Sequence, residues 1–288
     1  HNLEEFDDNT LYLPYATSLR MGDIGYQNSQ EDEKGVKANY NSLCHYIFSL
    51  RAAMKTSCED FEKIGLKKNG EYQQLNTNIL QIANEYYSSV RPKPILYGND
   101  RPLRALNNNG IGYIEIRSLD INPLLEVGID KEQIEFLEAF LLFCLLEDSP
   151  AISSSELVEI DSNALLVAHQ GRKPNLILEH IGEKETLADW GESLFEKIKQ
   201  CSKLLSNAHQ ESVESISIRI KNPDLTPSAI MLNEMKRQEK GFFEFTDQYS
   251  HKYKTQNQEK AFDKDYFIRL DEHSIRSIKE QLEVESKD

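Results

Sequence analysis

The sequence has no apolar run close to the roughly 20 residues that a membrane-spanning helix needs. Its longest apolar run, residues 140–146, is better suited to the buried face of a helix. The opening residues, HNLEEFDD, are acidic and polar, so we expect no secretory signal peptide. The sequence does not start with methionine, which suggests that it comes from a longer polypeptide. We expect no membrane partner.

Cysteine is scarce, and no two cysteines form a C-x-x-C pair. The four are Cys44, Cys58, Cys144 and Cys201. Cys44, Cys144 and Cys201 lie in or beside apolar helical stripes, where a thiol behaves as a small hydrophobe. We therefore predict that these three pack in the core. Unpaired, reduced thiols are typical of a cytoplasmic protein.

Several catalytic motifs are also missing. The seven histidines form no H-x-x-x-H or H-E-x-x-H pair and no cluster with cysteine, which argues against a zinc site. The chain contains no G-x-S-x-G, no P-loop and no G-x-G-x-x-G segment. Serine-hydrolase, P-loop and dinucleotide-binding functions therefore have no support in the sequence.

Basic residues are few, 33 against 48 acidic ones, and the net charge is −15. A general nucleic-acid binder needs a basic surface, so we expect no nucleic-acid partner. A local basic pocket remains possible within residues 88–117. This segment contains Arg91, Lys93, Arg101, Arg104 and Arg117 against Asp100 and Glu115. On its own, such a cluster is equally typical of a solvated surface.

The pattern of apolar residues predicts an α+β protein. Residues 43–54 have a helical apolar stripe, and residues 111–120 give the clearest strand signal. Asp130 with Gln133 predicts the start of a long helix, whereas residues 76–87 are ambiguous between helix and strand. After Pro150 the chain reads as helices joined by polar loops. We expect residues 1–150 to form a sheet domain and residues 151–288 to be mainly helical.

The strand at 111–120 has the most suggestive chemistry. Side chains alternate along a strand, so Glu115 and Arg117 point to one side, about 7 Å apart, and Ile114 and Ile116 to the other. A carboxylate suits Mg²⁺, and a guanidinium suits phosphate oxygens. Together they could hold a magnesium–phosphate unit. An exposed and inert ion pair fits the same pattern, and the strand alone leaves both interpretations open.

Two further clusters have a functional and an ordinary interpretation. Residues 15–20 with Gly25 and Tyr26 place an arginine and tyrosines around a glycine-containing loop, which could hold a small amino acid. Residues 84–93 place two tyrosines before two cations. Half-buried aromatics and surface charges would explain each cluster equally well.

Taken together and in order, these segments resemble the proteobacterial glutamate–cysteine ligase family. The matching segments are LPYATSLR (13–20) with Gly25-Tyr26, LQIANEYY (80–87), RPK (91–93), GIGYIEIRSLDINP (110–123), LEDSP (146–150), SSSEL (153–157), GRKP (171–174) and NPDLT (222–226). The resemblance fades after about residue 240. It implies part of a glutamine synthetase-like antiparallel sheet with outer helices, followed by a mainly helical C-terminal region.

The resemblance also implies an activity, the first step of glutathione biosynthesis. ATP, with Mg²⁺, phosphorylates the γ-carboxyl of L-glutamate, and the amine of L-cysteine attacks the acyl phosphate. By position, Glu115 matches a magnesium ligand. Arg117 matches a catalytic arginine that contacts the transferring phosphate of ATP, and Arg20 one near the phosphorylated glutamate. Tyr26 and Tyr87 match tyrosines of the cysteine subsite.

The chain departs from the family in one respect. Family members have an N-terminal region of comparable length that supplies further metal ligands and much of the ATP and glutamate sites. The missing N-terminal part of the same enzyme is therefore an expected partner, and we expect this chain alone to be inactive. Two other functions remain open: a related carboxylate–amine ligase with another amine, or a non-enzymatic helical interaction module formed by residues 151–288.

Overall fold

The computed structural model describes residues 2–25, 37–98, 100–260 and 263–286. The chain forms two compact units, His1–Glu239 and Lys240–Asp288. The division into a sheet domain and a helical region at residue 150 stays a prediction.

The strands of the described residues form four antiparallel pairs. These are β1 (Glu4–Asp7) with β2 (Thr10–Tyr12), β3 (Lys67–Lys68) with β4 (Glu71–Tyr72), β5 (Val90–Lys93) with β6 (Tyr113–Ile116), and β7 (Ile177–His180) with β8 (Glu183–Thr186). The strand expected at 111–120 is thus confirmed in its central part. The β5–β6 pair has the residues of greatest chemical interest.

Most of the remaining described residues are helical. The α-helices are α1 (Leu43–Ala53), α2 (Glu59–Ile64), α3 (Pro102–Asn109), α4 (Lys131–Leu146), α5 (Ser154–Gln170), α6 (Leu187–Ser202), α7 (Asn207–Lys221), α8 (Pro227–Gln238), α9 (Phe242–Glu259) and α10 (Lys264–Glu285). Short 3-10 helices lie at Leu19–Met21, Ala83–Glu85 and Pro223–Leu225. The predicted α+β class and the mainly helical C-terminal region are confirmed. None of the helices in the described ranges is long and apolar enough to cross a bilayer.

A first core includes residues of α1 and of α3, the helix that connects β5 to β6. Helix α1 begins at the N-cap Ser42, whose side chain accepts a hydrogen bond from the backbone of His45 at 3.1 Å. Its residues Ile47 and Leu50 are buried, as the apolar stripe predicts, and pack with Leu103 of α3. This packing anchors α3, and α3 connects β5 to β6.

A second core joins α4, α6 and α7. Its buried side chains are Ala139, Phe143, Ile198 and Val213. Asp130 caps α4 by accepting a hydrogen bond from the backbone of Gln133 at 2.7 Å, as predicted. A cap of this kind contributes about 1 kcal/mol to helix stability.

The predicted core position of the cysteines is wrong for two of the three. Cys44 and Cys144 are exposed, Cys201 is partly buried, and the fourth thiol, Cys58, lies in the first core. The cause at Cys144 is the composition of α4, whose C-terminal turns are apolar on every side. Because only one side faces the second core, Cys144 and its neighbour Leu145 remain outside it.

The ambiguous segment 76–87 forms neither a long helix nor a strand. It contains an isolated bridge between Ser57 and Asn78 and the 3-10 helix Ala83–Glu85. The Asn78 side-chain amide donates to the carbonyl of Met54 at 2.6 Å, and the Asn76 side chain accepts from the backbone of Asn78 at 2.9 Å. Short amides that bond the backbone in this way compete with regular secondary structure.

The second unit consists of α9 and α10. Phe245 and Tyr249 of α9 place their ring centroids 5.1 Å apart. The side chain of Asp263 caps α10 by accepting a hydrogen bond from the backbone of Asp265 at 3.0 Å.

Candidate active site

The register of the β5–β6 pair places four charged side chains on one side of the ladder. Arg91 lies opposite Glu115, and Lys93 lies opposite Tyr113. A hydrogen bond from the Arg117 backbone N–H to Ser89, at 2.7 Å, continues the ladder by one step. Since alternate residues of a strand share a side, Arg117 joins Arg91, Lys93 and Glu115. Three cations therefore lie around one carboxylate.

Glu115 is held in its ionised form by this arrangement. The ammonium nitrogen of Lys93 lies 3.1 Å from Glu115 Oε2. The contact with the Lys93 ammonium is the main cause of the lowered pKa of Glu115, and the charges of Arg117 and Arg91 lower it further. A half-exposed, ionised carboxylate is the kind of oxygen ligand that Mg²⁺ binds. Among the described residues, no group of three acidic, histidine or cysteine side chains could complete a metal site.

Arg117 has a hydrogen-bond donor for which the described residues provide no acceptor. Its guanidinium carbon lies 5.1 Å from the centroid of the Tyr87 ring. Its Nη1 atom is buried and has no hydrogen-bond partner among the described residues. Leaving a buried donor unsatisfied costs about 1–3 kcal/mol. An anionic oxygen, such as one of a nucleotide phosphate, would satisfy it, and the neighbouring cation Arg91 strengthens the attraction for an anion.

Arg20, the second predicted arginine, reaches the same place from the 3-10 helix Leu19–Met21. Its Nε donates to Asp120 Oδ1 at 2.5 Å and its Nη1 to the Tyr87 hydroxyl at 3.0 Å. Its Nη2 donates to the carbonyls of Arg117 and Leu119, each at 3.0 Å. The hydrogen bond to Asp120 is the main cause of the raised pKa of Arg20. The guanidinium thus joins the 3-10 helix to the segment that follows β6.

The structure brings together four of the five residues that the sequence singled out. Glu115 and Arg117 lie on one side of β6, and Tyr87 lies against Arg117 and is bonded to Arg20. The fifth, Tyr26, lies outside the described residues. The roles of all five stay predictions.

Sequence reasoning missed three residues of this site. Arg91 and Lys93 were part of the basic segment but had no assigned role, and their positions beside Glu115 depend on the strand register. Asp120 forms an ion pair with Arg20 across a separation of 100 residues. A hairpin-like pairing of residues 90–93 with 113–116 could have revealed Lys93, whereas no local pattern indicates Asp120.

A family model and two relatives found by comparison with known proteins have the same description. The family described as glutamate-cysteine ligase matches residues 1–167. The chain is 43% identical over 288 residues to a glutamate–cysteine ligase of Pseudomonas paraeruginosa, covering 98% of this chain and 54% of the relative. It is 46% identical over 251 residues to that of Pseudomonas entomophila, covering 85% of this chain and 47% of the relative.

A solved structure agrees with these relatives. The crystal structure of glutamate–cysteine ligase from Francisella tularensis in complex with AMP is similar with a TM-score of 0.88 and 30% identity. The match covers 99% of this chain and 58% of that one. The chain therefore spans about half the length of the curated relatives that it matches. The chain belongs to the glutamate–cysteine ligase family.

Proposed function

We propose that this chain is the C-terminal part of a cytoplasmic ligase that uses ATP and Mg²⁺ to join the γ-carboxyl of L-glutamate to the amine of L-cysteine. The γ-carboxylate attacks the terminal phosphorus of ATP and ADP leaves. The amine then attacks the acyl phosphate carbon, and phosphate leaves. This reaction is the first step of glutathione biosynthesis.

The buried, unsatisfied Nη1 of Arg117 supports this proposal most strongly. It lies on the side of β6 that Arg91 and Lys93 make cationic. Preorganised donors aimed at the place where charge develops stabilise a transition state without reorganisation. Arg117 would hold a transferring phosphate oxygen, so that it serves both in ATP binding and in catalysis.

Glu115 is the proposed magnesium ligand of this half of the enzyme. Lys93 and the neighbouring arginines keep its carboxylate ionised, which a metal ligand requires. When bound, Mg²⁺ would neutralise charge on the phosphate oxygens. Because Glu115 supplies a single carboxylate, the remaining ligands would come from outside the described residues.

Arg20, Tyr87 and Tyr26 would form the side of the site that receives the amino acids. The Tyr87 hydroxyl and the Arg20 guanidinium are already hydrogen bonded. Arg20 would lie beside the phosphorylated glutamate, and the two tyrosines would line the cysteine subsite. Holding both substrates in a reactive geometry lowers the entropic part of the barrier.

The relatives' extra length supports the proposal that an N-terminal part of the same polypeptide completes the active site. We also propose that residues 1–150 contribute to the shared catalytic sheet and that residues 151–288 form a mainly helical region. The 288-residue chain by itself should then have negligible ligase activity.

Magnesium-dependent ADP release by the full-length gene product tests the proposal. The assay contains glutamate and a panel of amines: cysteine, glycine, alanine and ammonia. We expect turnover with cysteine and its loss when Mg²⁺ is chelated. The 288-residue chain serves as the comparison and should be inactive.

Other results would contradict specific parts of the proposal. If turnover is faster with another amine than with cysteine, the proposal that cysteine is the amine substrate is wrong. ADP release that does not depend on glutamate would reject the ligase reaction. Full activity of the 288-residue chain would show that no N-terminal part is needed.

A further inference from the structure

We infer that Arg172 is a positioning residue of the ligase, which fixes the backbone segment that presents Arg20 to the active site. This inference rests on the proposed function. Arg172 follows the C-terminal end of α5, and the segment that it fixes consists of residues 14–22, called here the Arg20 segment. No contact joins Arg172 to Glu115 or Arg117 among the described residues.

Arg172 binds three consecutive carbonyls of the Arg20 segment. Its Nη2 donates to the Pro14 carbonyl at 2.6 Å and its Nε to the Ala16 carbonyl at 2.9 Å. Its backbone N–H donates to the Tyr15 carbonyl at 3.1 Å. A guanidinium has donors in a rigid fork, so one side chain sets the spacing and direction of two carbonyls at once.

The end of α5 binds the next residue of the segment. Thr17 donates its backbone N–H to the Ala168 carbonyl at 3.0 Å and its hydroxyl to the Val167 carbonyl at 2.7 Å. The Val167 carbonyl also accepts the Gly171 N–H at 2.9 Å, whereas the Ala168 carbonyl is one of the last of the helix, which lack a partner within it. The Arg20 segment therefore caps α5, and α5 in return holds the segment.

Two glycines, Gly171 and Gly22, allow the Arg20 segment and the end of α5 to pack closely against each other. A Cβ atom on Gly171 would lie 2.7 Å from Thr17 Cγ2. A Cβ atom on Gly22 would lie 3.0 Å from His169 Nε2. The same His169 nitrogen lies 2.7 Å from Asp23 Oδ1. The segment is thus held on both sides of the 3-10 helix that contains Arg20.

This docking determines where the Arg20 guanidinium lies. Arg20 has to reach Asp120, Tyr87 and the carbonyl of Arg117 together, and the Ala16 carbonyl that Arg172 binds lies only four residues before Arg20. A displacement of about 1 Å in an active site can reduce the rate roughly 100-fold. Arg172 would therefore act through Arg20 and touch no reacting atom.

The first test is backbone amide exchange in the full-length gene product, which needs no activity. In Arg172→Ala the Thr17 amide should exchange about tenfold faster or more, because its opening free energy falls. Exchange at Val213, in the second core, should be unchanged. Lys173→Ala is the matched control, since this neighbouring cation bonds only the Gln170 side chain among the described residues. Unchanged Thr17 exchange in Arg172→Ala, or an equal effect in Lys173→Ala, would overturn the inference.

The second test is a double-mutant cycle on ligase activity. Arg172→Ala should lower kcat/KM by roughly 10- to 100-fold in the wild-type background. In the Arg20→Ala background the same change should cost less than about threefold, because coupled residues are not additive. Arg172→Lys keeps the charge but lacks the fork, so it should show most of the loss while keeping the fold. Equal losses in both backgrounds would overturn the role.

The two tests separate this inference from the proposed function. If the wild-type protein has no ligase activity, the proposed function fails, while the exchange experiment still decides whether Arg172 anchors the Arg20 segment. If the wild-type protein is active and Arg172→Ala is as active as wild type, the positioning role alone fails.

Discussion

The guanidinium of Arg117 lies over the ring of Tyr87, with its carbon 5.1 Å from the ring centroid. This cation–π contact holds the guanidinium beside the ring, while its Nη1 stays buried and unbonded among the described residues. Arg20 donates a hydrogen bond to the hydroxyl of the same tyrosine. Tyr87 therefore contacts both arginines, which are also joined directly by the hydrogen bond from Arg20 to the Arg117 carbonyl.

Replacing Arg117 with lysine should remove this geometry while keeping the charge. Lysine lacks the planar fork and does not stack as a guanidinium does, so we expect kcat to fall roughly 100- to 1,000-fold. Steady-state kinetics of the full-length gene product measure the effect. Arg51→Lys, at an exposed position of α1, is the control and should behave as wild type. A kcat within a few-fold of wild type in Arg117→Lys would contradict the phosphate-binding role.

Replacing Tyr87 with phenylalanine should distinguish the contribution of its hydroxyl from that of its ring. The ring can still lie under Arg117, but the hydrogen bond from Arg20 is lost. A hydrogen bond to a charged group is worth about 1.5–3 kcal/mol, which corresponds to a loss of kcat/KM of roughly tenfold or more. The KM for cysteine should account for part of this loss. Tyr72→Phe is the control, because it removes a hydroxyl from an exposed tyrosine and should leave kcat/KM unchanged. If Tyr87→Phe also leaves kcat/KM unchanged, Tyr87 is not part of the cysteine subsite.

Removing the carboxylate of Glu115 should weaken magnesium dependence. Glutamine keeps the size of the side chain but is a neutral and weaker ligand for a hard cation. We expect Glu115→Gln to need a higher Mg²⁺ concentration for half-maximal activity and to lose at least about 100-fold in kcat/KM. Glu179→Gln on β7, whose carboxylate lies 3.8 Å from Lys184 on the surface, is the matched control. An unchanged Mg²⁺ titration in Glu115→Gln would reject the metal role.

The ion pair between Lys93 and Glu115 predicts a pH effect with a defined sign. The pKa of Glu115 is lowered in the folded protein, chiefly by Lys93. A lowered pKa means that the pair stabilises the fold above the unfolded value, about 4.3, and that this stabilisation is lost as the pH falls through the folded-state pKa. Lys93→Met should therefore raise the pKa of Glu115 towards its ordinary value.

A ¹³C NMR titration of the Glu115 carboxyl measures this shift, with Glu115→Gln used to assign the signal. Lys68→Met, which removes an exposed lysine of β3, is the control and should leave the titration unchanged. The same titration curve in Lys93→Met and wild type would show that Lys93 is not the main cause of the lowered pKa.

The first core, which includes residues of α1 and α3, should contribute strongly to the stability of the fold. Leu50 is only 2% exposed, so Leu50→Ala removes buried atoms and leaves a cavity. We expect the free energy of unfolding to fall by about 2–5 kcal/mol. Leu145→Ala, at a side chain that is 79% exposed, should change it by about 0.5 kcal/mol or less. Denaturant unfolding of both variants checks the prediction, and equal losses would show that the assignment of the core is wrong.

Much of the site could be predicted from local sequence. Alternation along residues 113–117 was enough to place Glu115 and Arg117 on one side and the isoleucines on the other. Asp130 and Gln133 were enough to predict the start of α4. The resemblance to glutamate–cysteine ligases rested on the order of short segments, and the family comparison confirms it.

Other features could not be predicted because their signals are not local. The cysteine prediction failed at Cys144 because an apolar stripe does not show which side of a helix another element will cover. The segment 76–87 followed neither the helical nor the strand pattern because its side-chain amides bond nearby backbone groups.

The sequence by itself determined the type of side chain available, the side of β6 on which each lies, and the family. Only the tertiary structure decided that Lys93 faces Glu115 and that Arg20 binds Asp120 and Tyr87. The physical reason is the separation along the sequence of the residues that interact. Alternation and capping depend on neighbouring residues, whereas strand register and contacts between residues 100 positions apart depend on how the cores pack.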